Sequence, residues 1–434
     1  MSARAEERWD AVVVGAGLTG LVTAVRLART VGPGRVLLLE AGGEPGGRAR
    51  TTDHHGFRLD LGPRALYHTT RTRLHALGIR VPAHEPDLAG ALALRDGTLH
   101  PGYAAPGPLL RTALLSPRER LAVARLLALS RARPALAGLD AATWLADRLP
   151  TERAREAAFA VLRISAYTGR PGMIAADALA AHFAEARRGV GYVDGGWRTL
   201  VDALALRART LGVHLRTAGR VTAVEGGPHP HVTLADGPSV RTRSVVLAGL
   251  SRPAAERLLS GAGQESRSSA PQQTNRPGVP AAPLRTACLD VALSRLPSPD
   301  RSLVYGVDEP LYLSVFSRTA RLAPDGGAVL HLVRHDDGSG LGASEVRKRL
   351  YELLDLCQPG WREVLVHERF LPAITTMTAV PEARTGGLAG RPGPRVPGRS
   401  GVFVAGDWVG PAGLLADACV LSGERAADEA AARL

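Results

Sequence analysis

Asp10 is followed by an apolar run, Ala11–Val14, and then by Gly15-Ala16-Gly17-Leu18-Thr19-Gly20. A helical run reaches about Arg29, and a second apolar run, Val36–Leu39, ends on Glu40. The order is strand, glycine turn, helix, strand, with an acid 20 residues past the last glycine. Few chains can satisfy that plan except as a βαβ unit with a dinucleotide site. Gly15 permits the tight turn, Gly17 lets a pyrophosphate approach the backbone, and Gly20 lets helix and strand pack closely. Ala16, Leu18 and Thr19 lie between them. The helix N-terminus offers unpaired N–H groups and the positive end of its dipole to the phosphates. Glu40, with Ala41 after it, stands where a carboxylate can accept hydrogen bonds from a ribose diol.

The next residues separate a flavin from a nicotinamide. Glu40-Ala41-Gly42-Gly43-Glu44-Pro45-Gly46-Gly47-Arg48 resembles the Gly-Gly signature of the FAD-dependent superfamily of amine oxidases, protoporphyrinogen oxidases and carotenoid (phytoene) desaturases. The resemblance implies that Gly47 carries the chain past the cofactor and that Arg48 lies near the pyrophosphate, where a planar guanidinium pairs well with phosphate. Asp60-Leu61-Gly62-Pro63-Arg64 resembles the superfamily's Asp-x-Gly-Pro segment, which crosses close to the flavin ring. Arg64 and Tyr67 are then the candidate catalytic residues, facing the ring or the substrate space. Tyr192–Val201 resembles the Gly-Gly-x-x-x-Leu segment that opens a helix. The strands that follow resemble the middle FAD segment, in which Val221 presents backbone to the adenine. Gly401–Asp407, Leu414–Gly423 and the helix with Arg425, Ala426 and Ala427 resemble the final FAD motif. There Gly406 and Asp407 serve the ribityl or phosphate hydroxyls. Leu414, Leu415 and Ala416 face the carbonyl edge of the ring, where helix N–H groups stabilise negative charge.

The resemblance implies an α/β fold: a Rossmann-like FAD-binding domain (a GR2-type flavoprotein) with an inserted α+β substrate domain and a helical cap. The expected organisation is a discontinuous FAD domain (1–70, 190–250, 385–434), a helical cap over 71–189, and a sheet domain over 251–384 with a mobile loop at 261–283. Helices are read at 71–78, 120–133, 140–149, 151–164, 174–187 and 199–211. Ser116-Pro117-Arg118-Glu119 forms a capping box before the second of these. The segment from about 79 to 108 reads as turn-rich. Strands are read at 287–293, 311–317 and 328–334. A helix over 344–357 sets Val346, Leu350, Leu353, Leu354 and Cys357 on one face.

Charge and cysteine usage narrow the function. The net charge is +13 and Lys348 is the sole lysine. The arginines are scattered and aromatics make up 4%, so no basic groove with stacking aromatics is visible and nucleic acid is not an expected partner. A plain arginine-rich surface and peripheral attraction to anionic lipid both stay open. Cys288, Cys357 and Cys419 are widely spaced and odd in number, with no metal pattern, which fits a reducing cytoplasm. Met1–Asp10 shows no apolar leader and no stretch is long enough to span a membrane. His229 and His231 flank Pro230 and read as surface turn residues.

The expected function is FAD-dependent oxidation of a small hydrophobic substrate, like that of a phytoene desaturase or protoporphyrinogen oxidase, with oxygen or quinone as the electron acceptor. A flavin amine or amino-acid oxidase is the alternative. In the resembled amine oxidases a lysine near the flavin N5 holds a water, and Lys348 falls on the polar side of an amphipathic helix. A non-catalytic FAD-binding partner is the third reading. Gly17→Val and Glu40→Ala are each expected to give colourless, less stable protein, which the visible absorption of the purified variants checks.

Overall fold

The computed structural model describes residues 7–62, 64–88, 90–128, 136, 138–261 and 283–434. The run Val36–Leu39 is a strand with every residue buried, beside the parallel strand Glu7–Val14. On its other side Glu7–Val14 pairs in parallel with Val240–Ala248, and His214–Arg216 extends the sheet beyond Val36–Leu39. Val240–Ala248 is long enough to serve two neighbours. Its first half pairs antiparallel with His231–Leu234, which leads to Val221–Glu225. Its second half pairs in parallel with Val402–Ala405 near the C-terminus. Strands buried on both faces read as unbroken apolar runs, which is why the parallel members were conspicuous in the sequence.

One face of this sheet, through Ala11 and Val13, packs on the helices Leu18–Val31, Trp197–Thr210 and Leu415–Ala431. Val12 and Val14 alternate to the opposite face, where Val224, Val232, Leu234 and Trp408 cover them. The first helix must come very near the turn that precedes it. A Cβ added to Gly20 would lie 1.7 Å from the carbonyl oxygen of Gly15, which itself has φ +102°. Only glycine fits either position.

The second sheet runs in the order Leu365–Met377, Leu284–Leu293, Ala328–His335, Leu311–Val315, Leu303–Gly306, Leu92–Arg95, Thr98–Pro101. Leu289, Val291 and Leu293 face the helix Ala343–Cys357, whose buried stripe is the expected set Val346, Leu350, Leu353, Leu354 and Cys357. Cys288, Tyr312 and Val333 face the other way, into a core shared with the helices of 106–186.

Several expectations change. The segment 79–108 is not turn alone. It holds a hairpin, Leu92–Arg95 with Thr98–Pro101, and this hairpin completes the second sheet by pairing in parallel with Leu303–Gly306. Region 71–189 is therefore not purely helical. The thirteen-residue strand Leu365–Met377 escaped sequence reading because His367, Glu368 and Arg369 break its apolar pattern and Pro372 interrupts it. It is an edge strand, where a missing N–H is tolerated. The capping box forms, with Ser116 N donating to Glu119 Oε2 at 2.8 Å and Glu119 N to Ser116 Oγ at 3.4 Å. The helix it opens is described over Pro117–Ala128. His231 opens a strand and is half-buried, while His229 is exposed. Nearly all of the loop expected at 261–283 lies outside the described residues. Among the described residues no helix is long and apolar enough to cross a membrane.

Gly20→Val is expected to lower stability by about 3 kcal/mol or more, because neither the backbone carbonyl nor the sheet can yield to it. The thermal midpoint of the variant against the parent checks this.

Candidate functional site

A cavity of about 620 Å³ lies where the two sheets and the helical segments meet, within the size range of a cofactor pocket. The glycine turn supplies Gly15, Gly17, Leu18 and Thr19 to its wall. Gly17 forms a bridge with Gly46, and Gly46 N donates to Ala16 O at 2.8 Å, so the second glycine segment lies alongside the first. The helix Leu18–Val31 starts from Gly17 with no side-chain cap and no acid in its first turn. Its leading N–H groups are thus free for an anion.

Glu40 is held for a second task. Its Oε2 accepts from Ala16 N and its Oε1 from Gly42 N, both at 2.8 Å. A carboxylate has further lone pairs, so two hydroxyls can still bind to it. Gly219, Arg220 and Val221 line the same end, and Gly219 N donates to Glu40 O at 2.8 Å. Arg48, in the short turn after Gly46, reaches across the cavity wall and sets Nη2 3.2 Å from Asp407 Oδ2. Asp407 also accepts from Thr378 N at 3.0 Å and from the Thr378 hydroxyl.

At the other end stand Gly62, Arg64, Ala65, Tyr67, Tyr167, Ile374, Leu415 and Ala416. The helix Leu415–Ala431 begins here without a side-chain cap, so a second helix N-terminus opens on the cavity. Asp417 in its first turn is buried and accepts from Thr70 N at 2.9 Å and from the Thr70 hydroxyl. Burial pushes its carboxyl up to about 6. Tyr67 turns its hydroxyl away from the cavity, donating to Ser165 O at 3.2 Å, and its ring meets His182 edge-on. Burial raises both the Tyr67 and Tyr167 phenols, so both stay protonated at neutral pH.

Behind Arg64 lies a buried charge cluster. Asp290 on the second sheet is fully buried, with Arg64 Nη2 at 3.0 Å, His331 Nδ1 at 2.7 Å and Arg369 Nη2 at 2.6 Å. Burial alone would raise the Asp290 carboxyl. The charge on Arg64, the His331 hydrogen bond and Arg369 overcome that and hold it well below the usual carboxylate range. Arg369 also donates to Asp60 O at 2.7 Å and Thr52 Oγ1 at 2.9 Å, tying the hairpin Thr51–His54/Phe57–Asp60 to the second sheet.

Of the residues singled out in the sequence, Gly15, Gly17, Leu18, Thr19, Glu40, Ala41, Gly47, Arg48, Gly62, Arg64, Tyr67, Val221, Asp407, Leu415 and Ala416 line this one cavity. Four act from behind it. Ala16 orients Glu40, Gly20 packs beneath the turn, Gly406 exchanges hydrogen bonds with Ser422 Oγ at 3.0 and 2.9 Å, and Leu414 sits in the helical core. Pro63 lies outside the described residues. Sequence reading missed Tyr167, Ile374, Thr375, Arg257, Leu258 and Cys419, which also line the wall. Tyr167 ends the helix Glu152–Ala166 in a left-handed conformation that no local pattern announces. Ile374 and Thr375 belong to the unread edge strand. Cys288, Cys357 and Cys419 are all buried free thiols, and no metal-binding cluster occurs among the described residues. The uncapped helix start, the oriented Glu40 and the cavity's size together fit a flavin dinucleotide.

A family model described as flavin-containing amine oxidoreductase matches residues 18–431. Hydroxyneurosporene desaturase of Cereibacter sphaeroides is 32% identical over an alignment of 278 residues that covers 55% of this chain and 55% of that protein. The match thus spans about half the length of this curated relative. Among solved structures, an oxidoreductase from Methanosarcina mazei is 18% identical with a TM-score of 0.74, over 95% of this chain and 98% of the other. Cyclohexylamine oxidase from Brevibacterium oxydans is 16% identical with a TM-score of 0.70, over 98% and 99%. These structural likenesses establish a shared fold.

The buried histidines make stability depend on pH. Burial holds His182 and His331 down to about 4 and His335 to about 3. The unfolded chain protonates them from about pH 6.5 downward while the folded chain does not, so acid favours unfolding by on the order of 2–3 kcal/mol per histidine. Asp60, Asp417 and Glu424, raised in the fold by burial, work in the opposite sense, while Asp290, held down by its partners, adds to the loss in acid. The thermal midpoint is expected to fall from about pH 6.5 to about pH 4, and His335→Gln to flatten part of that fall.

Proposed function

The chain belongs to the flavin-containing amine oxidoreductase family and is an FAD-dependent oxidoreductase, and on that basis we propose that it dehydrogenates a carbon–carbon bond of a small apolar substrate, with oxygen or a quinone as the final electron acceptor. One observation carries this reading over amine oxidation. Lys348, the sole lysine, is 66% exposed and faces Glu352 Oε1 at 3.9 Å on the helix Ala343–Cys357. That helix packs on the face of the second sheet opposite Asp290 and Arg64. No lysine stands at the cavity to hold a water beside the ring, and C–C dehydrogenation does not need one. The desaturase named among the relatives supports the same class of reaction.

FAD supplies the two-electron acceptor when bound; the chain's own residues supply grip, dryness and charge. Gly15, Gly17, Leu18 and Thr19 would hold the pyrophosphate on the first helix N-terminus, helped by Arg48. Glu40 would accept the ribose hydroxyls and Val221, with Ala41, would flank the adenine. Asp407 would serve the ribityl chain. Leu415 and Ala416 would present N–H groups to the carbonyl edge of the ring and favour charge there. Tyr167, Ile374 and Ala65 exclude water from the reacting end, and Gly47 and Gly62 let the chain pass close by. Exposed Leu110 and Leu121, with Arg111, Arg118 and Arg125 on the same two packed helices, fit work at an anionic membrane surface.

The test is anaerobic bleaching of the yellow protein by a panel of polyenes, porphyrinogens and amines. Polyenes are expected to bleach it and amines to leave it yellow; rapid bleaching by amines alone would remove the C–C reading.

A further inference from the structure

The wall of the cavity is unevenly exposed. At the reacting end every described residue is buried or half-buried, from Gly62 and Arg64 to Leu415 and Ala416. The exposed residues of the wall are Ala41, Gly47, Arg50, Arg220, Gly249 and Arg257, and all stand toward the dinucleotide end. The mouth of the cavity is therefore at that end. A dinucleotide enters ring first and leaves its adenosine outermost.

Three arginines from three separate elements stand at this mouth. Arg50 follows the turn Gly47–Ala49, Arg220 precedes the strand Val221–Glu225, and Arg257 lies on the helix Arg252–Ser260. Elsewhere on the surface arginines face acids, as Arg26 faces Asp428 and Arg216 faces Glu7. Arg50, Arg220 and Arg257 form no ion pair among the described residues. Deeper in the wall the charges cancel, because Arg48 faces Asp407 and Arg64 faces Asp290. Glu40 is the one wall acid left over, so three cations stand against one carboxylate. That excess matches the pyrophosphate of FAD, which carries about two negative charges at neutral pH.

Exposure decides what these cations can do. Once a ligand is seated, water screens a rim charge, and it adds little to the hold. During approach the same charge acts at long range. A cleft lined by one sign of charge focuses the field along the way in, and rim charges set the association rate and its dependence on salt.

We propose that Arg50, Arg220 and Arg257 form an electrostatic mouth that captures FAD and draws it into the cavity ring first, leaving retention to the glycine turn, Glu40 and the two helix N-termini. The assignment holds whichever substrate is oxidised.

The test is uptake of FAD by the full chain freed of cofactor, followed by the quenching of flavin fluorescence in stopped flow. Association is expected to slow about tenfold as sodium chloride rises from about 20 mM to about 500 mM. Arg220→Gln with Arg257→Gln removes two exposed charges that have no acidic partner to lose, and it spares Arg50, whose Nε donates to Gly47 O at 3.2 Å. This double variant is expected to associate about 5–10-fold more slowly at low salt, to show a flatter salt dependence, and to release FAD at the parent rate within about twofold. Arg257→Glu alone reverses one charge and is expected to match the double variant. An association rate indifferent to salt in the parent would overturn the proposal. So would variants in which only the release rate changes, since the arginines would then hold the bound cofactor rather than capture it. A parent chain that takes up no FAD would remove the cofactor together with the proposal, whereas uptake without a salt dependence removes the capture role alone.

Discussion

Everything in this molecule rests on how closely one helix can approach the turn it grows from. The carbonyl of Gly15 leaves no room for a Cβ on Gly20, and a Cβ on Gly15 would stand 2.5 Å from the carbonyl of Ala248. With that approach the helix Leu18–Val31 starts directly over the strand ends and aims its free N–H groups into the cavity. The same placement lets it receive Leu415–Ala431 along one side, where Thr23 Oγ1 donates to Gly423 O at 3.2 Å. One steric condition thus positions two helix N-termini on the same space.

The second constraint is electrostatic and joins the two sheets. Asp290 is useful because it is inaccessible. In a dry setting a carboxylate is stable only when every lone pair is engaged, and the groups that engage it come from different elements: Arg64 from the loop after Gly62, His331 from the neighbouring strand, Arg369 from the edge strand. Arg369 then fastens the carbonyls of Leu59 and Asp60. Such a cluster contributes little net stability against an apolar replacement, but breaking any one partner is costly, so it fixes the relative register of its elements. The reacting end of the cavity inherits that register.

The parts legible in the sequence are those whose physics is local. Gly15, Gly17, Gly20 and Glu40 declare themselves because turn, helix start and acid lie within one short stretch, and the stripe of Ala343–Cys357 because its period is its own. The fold class followed from such segments together with the family likeness. What could not be read depends on partners far away. Leu365–Met377 looks like loop until its neighbour Leu284–Leu293 supplies the ladder, and the hairpin Leu92–Arg95/Thr98–Pro101 makes sense only beside Leu303–Gly306. Tyr167 reaches the cavity through a helix end set by tertiary packing. Arg64 was legible as a candidate, but its relation to Asp290 was not, since nothing in the surroundings of Asp290 along the chain marks it.

The hairpin at Leu92–Pro101 has a consequence for biogenesis. Asp96 N at its tip donates to Asp308 Oδ2, 212 positions onward, and the first sheet waits for Val402–Ala405. Each sheet thus completes only once strands far along the chain have been made, the second with Leu365–Met377 and the first with Val402–Ala405. Until then strand edges stand open, a condition that invites mispairing and slows folding. The cavity, walled by residues from Val14 to Cys419, is therefore among the last features of the fold to be completed.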